Sequence, residues 1–500
     1  MGVKSSMVKL ASALIVPGLY KEHRHGADLQ QKILFNLLRR ASATHFGKEH
    51  QFSNIKSYDD FCSAVPVRDY EGIKHYIEKI AQGVADVLWP ELPKYFCKSS
   101  GTTSGTKYIP LSAESIKEHI RAARNALFCY VYETGRAAFF DKKMIFLQGS
   151  PALDKYGCIP SGRLSGIVYH HVPAWAQKNR LPSYDINCIE DWEKKVEAIA
   201  RETLRHPMSL ISGIPPWVVM YFETLIKLSG KNYVKDIFPD FELFVYGGVN
   251  YEPYRQRIET LIGKKIPSIE TYPASEGFIA FQDSQKEPGL LLNLNAGMFF
   301  EFIPADEYGK PNAKRIMLSD VKTGINYALI LSSNAGLWAY DIGDTIKFIS
   351  TNPYRIVVTG RVKHFTSAFG EHVIAEEVEY ALQQAIAQHG GVVTEFTVAP
   401  VVNPPGELSY HEWLIEFSTP PENVESFARA ADMALQQKNI YYRDLREGHM
   451  LQCLKIKTLG KNAFNEYMKE IGKLGGQNKV PRLSNDRTIA SKLERFVISV

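Results

Sequence analysis

Phe241-Glu242-Leu243-Phe244-Val245-Tyr246-Gly247-Gly248-Val249 is an apolar strand run that ends in a glycine pair, and it decides the fold class. Upstream, Met208–Ile211 is a short buried-strand candidate and Trp217–Leu228 a helix. Downstream, Tyr254–Ile262 is a helix closed by Gly263, and Ile266–Tyr272 is again a strand. Strand–helix–strand–helix–strand predicts a parallel sheet with helices on both faces. Trp192, Val196, Ile199 and Thr203 share one face of a further helix, and Phe278–Phe281 and Met298–Ile303 add strands.

Toward the N-terminus, residues 27–90 read as helical, with Leu29, Ile33, Leu37 and Leu38 at helical spacing. Ser57 caps a short helix that Val65-Pro66 ends, and Ser112 caps a long one reaching about Glu133, with Glu114 in its first turn. After a run of strands and glycine turns at 340–370, the alternation repeats on a smaller scale. Helices are expected at Ala375–Ile386, Val424–Gln437 and Phe464–Ile471, with strands at Val392–Ala399, Trp413–Phe417 and Leu451–Lys457. The reading is therefore α/β: a large N-terminal domain (1–360) with parallel-rich sheets and flanking helices, plus a smaller α+β C-terminal domain (361–500).

Composition sets outer bounds. The 500 residues are 45% hydrophobic and 23% charged, an ordinary globular profile. A net charge of +5, without like-charge blocks, gives no reason to expect nucleic acid as a partner. No run approaches the ~18 apolar residues of a membrane helix. Lys4 and Lys9 before Leu10–Val16 resemble a signal peptide only superficially, because Ala11-Ser12-Ala13 lies inside the run. Met1-Gly2-Val3-Lys4-Ser5-Ser6 fits the loose myristoylation pattern that many chains match by chance. The six cysteines are scattered with no CxxC pair, and the histidines include no HExxH; reduced thiols and a cytoplasmic location are expected.

The chemistry concentrates in Ser99-Ser100-Gly101-Thr102-Thr103-Ser104-Gly105-Thr106-Lys107. Glycines let backbone N–H groups converge on an anion, hydroxyls add donors, and the lysine adds a full charge. Short strand-like runs flank it (Tyr95-Phe96-Cys97 and Tyr108-Ile109-Pro110), so it is a strand–loop–strand phosphate grip and not a Walker loop. Tyr272-Pro273-Ala274-Ser275-Glu276-Gly277 follows a strand, where parallel sheets place ligands, and offers a hard carboxylate suited to Mg²⁺. Tyr340-Asp341-Ile342-Gly343-Asp344 offers a carboxylate able to accept from both hydroxyls of a ribose.

Together these segments resemble the auxin-responsive Gretchen Hagen family of acyl acid–amido synthetases, within the adenylate-forming superfamily, from about Asp28 to Arg482. The loop is similar to the family's SSGTSxGxxK motif, with the lysine one residue early and Thr103 in place of serine. The second motif resembles Y-x-x-S-E, and the third Y-R-V-G-D with Asp341 replacing arginine. The resemblance implies ATP and Mg²⁺. It places phosphate on Ser99, Ser100, Gly101, Thr102, Thr103, Ser104, Gly105 and Lys107, adenine against Gly248, Val249 and Tyr272, the cofactor also on Ala274 and Ser275, ribose on Asp344, and the metal on Glu276, with Lys107 and Glu276 catalytic. Gly360-Arg361-Val362-Lys363 resembles the hinge to a mobile small domain, with Arg361 at ribose or phosphate, and Gly475–Arg482 the segment delivering a catalytic lysine, here Lys479.

The implied reaction activates a carboxylic acid as acyl-AMP and transfers it to an amine, expected to be an amino acid. Walls for the acid are sought in the helix 113–131, in Ser212–Trp217, at Gly149-Ser150 and in Tyr169–Trp175, with Trp217 read as core before pocket. Two alternatives stay open: transfer to a thiol such as coenzyme A or a carrier protein, and a non-catalytic nucleotide-binding relative. Small-molecule partners, no membrane partner and a monomer are expected.

Overall fold

The computed structural model describes residues 2–102, 105–248, 251–310, 313–361, 365–366, 368–371, 373–471 and 480–498. An eleven-stranded sheet forms its centre. One half is parallel: Arg180–Leu181, Lys143–Phe146, Met208–Ser212, Leu243–Gly247 and Ser268–Ala274 lie side by side in that order. From Ser268–Ala274 onward every neighbour is antiparallel, through Gly277–Phe281, Leu290–Leu292, Tyr354–Arg361, Tyr340–Thr351, Asn326–Ser333 and Met298–Pro304. The expected parallel sheet thus occupies one half, and the chain changes pairing at residues 274–277.

The side-chain period of two explains why both faces of the parallel half are covered. Met144, Leu210 and Leu243 stand in register on one face and pack with the helices Val3–Arg24 and Ala113–Thr134. Ile145, Ile211 and Phe244, the next residues along, face the opposite way, toward the helices Trp192–Thr203, Pro215–Ser229 and Glu252–Ile262. The expected caps are in place. Ser112 accepts from the Ser115 amide at 3.0 Å, Ser57 forms a capping box with Asp60, and Gly263 ends its helix at φ +77°.

The helix Val3–Arg24 is not foreseen by the sequence reading. Its apolar run resembles a leader only superficially, and in the structure Val8 and Val16 are buried in the core. The Asp141 carboxylate accepts from the Gly2 and Ser5 amides and so caps this helix from a distant turn. No helix among the described residues is long and apolar enough to cross a membrane.

A second sheet, ordered Gly105–Leu111, Tyr95–Thr102, Ile159–Gly162, Asp154–Tyr156, flanks the first. Beyond the large sheet, Val392–Val401, Tyr410–Thr419 and Lys455–Leu459 form a three-stranded sheet. The helices Ala375–His389 and Val424–Lys438 accompany it. Phe369, Trp413 and Tyr442 of this part belong to the same apolar core as Val218, Tyr221 and Tyr254 of the large part.

Candidate active site

The strands Tyr95–Thr102 and Gly105–Leu111 pair as a hairpin, with Ser99 opposite Lys107 and Thr102 opposite Gly105. The strand–loop–strand expectation is therefore sharpened: most of the hydroxyl-rich segment is itself strand, including Ser100 and Gly101, and a bulge interrupts the pairing between Ser99 and Thr102. Thr103 and Ser104 lie outside the described residues. The hairpin is anchored at its base, where the Tyr108 amide donates to the Tyr70 hydroxyl at 3.1 Å and the Tyr108 ring stacks on Tyr156 at 3.8 Å.

Side-chain contacts then join segments far apart in sequence. Cys97, on the first hairpin strand, donates its thiol to the Ser275 hydroxyl at 3.2 Å. Ser275 and Glu276 form the turn between Ala274 and its partner Gly277, where the large sheet changes from parallel to antiparallel. Glu276 is only 8% exposed. Its charge is felt by two neighbours. Burial, with Glu276 adding, pushes the Cys97 thiol up to about 12 and the Tyr340 phenol well above its ordinary value.

The third motif closes the arrangement. The Tyr272 hydroxyl donates to the Asp344 carboxylate. Tyr272, expected to stack on adenine, thus also orients the residue expected to bind ribose. Asp344 stands opposite Arg361 on the neighbouring strand. Asp341, in the position where arginine was expected, builds the turn: its carboxylate accepts from the Gly343 amide at 2.7 Å and from the Tyr308 hydroxyl. Its own amide donates to the Arg68 carbonyl at 2.9 Å. Arg68 and Tyr308 carry no signal in the sequence reading, whereas Cys97 and Tyr340 stand in segments it quotes, Tyr95-Phe96-Cys97 and Tyr340–Asp344, without a role of their own.

The glycine pair has two separate reasons. A side chain on Gly247 would overlap the Thr271 carbonyl of the adjacent strand, and Gly248 has φ +81°. Val249 lies outside the described residues, as do Val362, Lys363 and Lys479. Of the expected acid-pocket walls, Ile214 approaches Gly248, 3.8 Å from where its Cβ would stand. Trp217 packs on Trp192 with ring centroids 4.4 Å apart, in keeping with a core role. His170 and His171 bond the Pro151 carbonyl and the Tyr95 hydroxyl respectively. Among the described residues no three His, Cys, Asp or Glu side chains gather as a metal cage.

Comparison with known proteins follows this geometry. Three family models match: the GH3 family N-terminal domain over residues 18–171, the central domain over 291–361 and the C-terminal domain over 376–488, together more than half of the chain. Indole-3-acetic acid-amido synthetase GH3.3 of Arabidopsis thaliana is 23% identical over 94% of this chain and 91% of its own length. Jasmonoyl–L-amino acid synthetase GH3.5 of Oryza sativa subsp. japonica is 21% identical over 92% and 93%. Among solved structures, the GH3.15 acyl acid amido synthetase in complex with 2,4-DB superposes with a TM-score of 0.63 at 17% identity, over 98% of this chain and 96% of that one. A 2-hydroxyisobutyryl-CoA ligase in complex with 2-HIB-AMP and CoA gives 0.57 at 14% identity, over 95% and 92%. The fold is that of adenylate-forming enzymes, and the chain belongs to the GH3 family.

Proposed function

We propose that this protein is an ATP-dependent ligase that activates a carboxylic acid as acyl-AMP and passes the acyl group to an amine, with an amino acid as the expected acceptor. One observation carries the reading: the Cys97–Ser275 and Tyr272–Asp344 bonds bring the hydroxyl-rich hairpin, the Glu276 turn and the Asp344 turn together. They meet at the carboxyl end of the parallel half, where such sheets bind ligands. The amido synthetase names of the relatives agree with it.

The roles follow from donor chemistry. Hairpin residues 99–105 and Lys107 hold the phosphates. Gly248, Val249, Tyr272, Ala274 and Ser275 border the adenine, and Asp344 takes the ribose hydroxyls with Arg361 opposite. The buried Glu276 carboxylate suits Mg²⁺, which prefers one or two protein carboxylates with phosphate oxygens and water. Glu276 would hold that ion, which lessens the repulsion between phosphates and the incoming carboxylate.

The substrate carboxylate is already ionised at neutral pH, so the first step needs alignment with the α-phosphorus and stabilisation of charge, which Lys107 and Lys479 supply. Its carboxylate oxygen bonds the α-phosphorus as pyrophosphate leaves. The neutral amine then attacks the acyl carbon and AMP leaves. We assign residues 1–360 to the binding of ATP and acid and 361–500 to a mobile lid. A cytoplasmic setting is supported by six cysteines that are all free thiols.

The test is carboxylate-dependent ATP–pyrophosphate exchange with Mg²⁺ over aryl, indole and fatty acids, followed by amines, amino acids and coenzyme A as acceptors. Exchange with some acids should fall about 100-fold or more in Glu276→Ala and in Asp344→Ala. ATP binding without exchange across the panel would favour the non-catalytic reading, and product formed only with coenzyme A would favour the thioester reading.

A further inference from the structure

The helix Val3–Arg24 has a face that neither its packing nor the proposed reaction uses. Its inward side is small: Ser5, Val8, Ser12 and Val16 are buried, and the helix lies with them against Ala113–Thr134. The two serines cost little there, because their hydroxyls donate back to the Gly2 and Lys9 carbonyls at 2.9 and 2.8 Å. Its outward side is larger and more apolar. Val3, Met7, Leu10 and Leu14 are 79%, 66%, 66% and 74% exposed. At 3.6 residues per turn these four stand within about 60° of one another, in a row about 16 Å long.

This inverts the usual arrangement, in which a surface helix buries its large apolar side chains and turns its serines to water. The helix is also held against rolling over. The Asp141 carboxylate fixes its first turn, the Tyr20 hydroxyl donates to Asp283 at 2.8 Å, and Asn295 donates to Glu22 at 2.7 Å. Single exposed apolar residues are ordinary on a surface, but a contiguous row marks a place where something else packs. Among the described residues nothing covers it.

Charge says what packs there. Lys4 and Lys9 stand on the two flanks of the row, and Lys21 and Arg24 follow it at the C-terminal end of the helix. Residues 1–21 include no aspartate or glutamate. The first acid, Glu22, lies on the opposite side of the helix with Asn295, and the carboxylate of the neighbouring Asp141 is taken up by the Gly2 and Ser5 amides. An apolar row with cations on its flanks and at its end complements a surface that is apolar within and anionic outside. A second copy of the chain fits less well, since two such rows set lysine against lysine whether they run parallel or antiparallel. The row is too short to span a bilayer, and no described helix is long and apolar enough to do so.

We infer that the outward face of Val3–Arg24 docks the protein on the surface of an anionic lipid bilayer, lying flat on it, with Met7, Leu10 and Leu14 entering the acyl boundary and Lys4, Lys21 and Arg24 at the headgroup phosphates. This departs from the expectation of no membrane partner, which rested on the lack of a long apolar run. Four residues spread over about three helical turns make no such run, and only the packed helix shows which side is left in water. The inference does not depend on the reaction.

The experiment is co-sedimentation of the full chain with vesicles of phosphatidylcholine alone and of equal parts phosphatidylcholine and phosphatidylglycerol. The mixed vesicles should carry the protein down, and the neutral ones at least about tenfold less, because each lysine or arginine near an anionic surface is worth about fivefold in binding. Leu10→Ser combined with Leu14→Ser should weaken binding to the mixed vesicles about tenfold or more, from the apolar area lost. Lys21→Gln should weaken it about fivefold, and added salt should act in the same direction. All three side chains stand in water, so the variants should keep the circular dichroism and unfolding midpoint of the unaltered protein. Leu14→Ser alone carries the test if the double variant does not fold. Failure to sediment with the mixed vesicles overturns the inference. So does binding that Lys21→Gln weakens but the leucine variants leave intact, which would be charge attraction without docking of the row. Sedimentation equilibrium without lipid tests the other occupant. A dimer that the leucine variants dissociate, in a protein that the vesicles do not carry down, assigns the face to a second copy and overturns bilayer docking.

Discussion

Tyr272 and Asp344 are 72 positions apart, yet one hydrogen bond makes them a unit. A carboxylate offers about four lone-pair sites, so this bond and a ribose contact are compatible. Tyr272→Phe should raise the KM for ATP about tenfold in pyrophosphate exchange, the effect of a lost hydrogen bond to a charged group. Asp344→Asn should cost more, and an unchanged KM in both would detach the pair from nucleotide binding. His23 carries a different kind of consequence. Its Nδ1 accepts from the Tyr354 amide at 3.2 Å, and burial lowers its pKa to about 4 from 6.5. The folded state therefore holds His23 neutral while the unfolded chain binds a proton below pH 6.5. Stability is fully present above pH 6.5 and is lost as pH falls toward 4, by about 3 kcal/mol at most from this group. Urea unfolding across that range should show the decline, and His23→Asn should flatten it.

At the scale of elements, the turn after Leu243–Gly247 depends on backbone approach. A methyl group at Gly247 overlaps the Thr271 carbonyl, and Thr271 is already tied to this strand by a 2.8 Å bond from its hydroxyl to the Tyr246 carbonyl. Neither side can retreat without losing that bond. Gly247→Ala should destabilise the protein by about 1–3 kcal/mol in urea unfolding, the usual cost of overpacking. A neutral result would mean that the two strands separate more readily than their pairing indicates. The hairpin Tyr95–Leu111 teaches the same lesson from the other direction. Glycine is a poor strand former, and a run of serine, threonine and glycine reads as a loop in the sequence. Cross-strand pairing of Ser99 with Lys107 overrides that preference.

For the whole molecule, the feature with most consequence is the core shared between the large and small parts. Phe369 is 1% exposed and packs in one apolar cluster with residues of both. The Tyr254 hydroxyl donates to the Ala368 carbonyl at 2.8 Å, and Arg163 pairs with Asp444. Calorimetry should accordingly show one unfolding transition, lowered as a unit by Phe369→Ala, with a loss of about 3–5 kcal/mol. Two separate transitions would show that the contact is too weak to couple the parts. A lid that swings during the reaction must break this contact and reform it elsewhere.

What the sequence determined by itself was local or periodic. Apolar spacing located the helices and strands of the parallel half, and Ser57, Ser112 and Gly263 marked helix ends, because caps act within a turn of where they stand. The hydroxyl-rich segment, the Glu276 turn and Asp344 were legible because each is a short run of residues whose chemistry shows in composition. Tertiary structure decided everything that depends on distance through space. It turned Asp341 into a turn-builder, gave Cys97 to Ser275 and Tyr272 to Asp344, and drew the Val3–Arg24 helix into the core through Asp141. It also placed Arg180 against the side-chain oxygen of Gln148. Spacing along the chain carries no information about such pairs, because only the packed sheet sets which strand ends become neighbours.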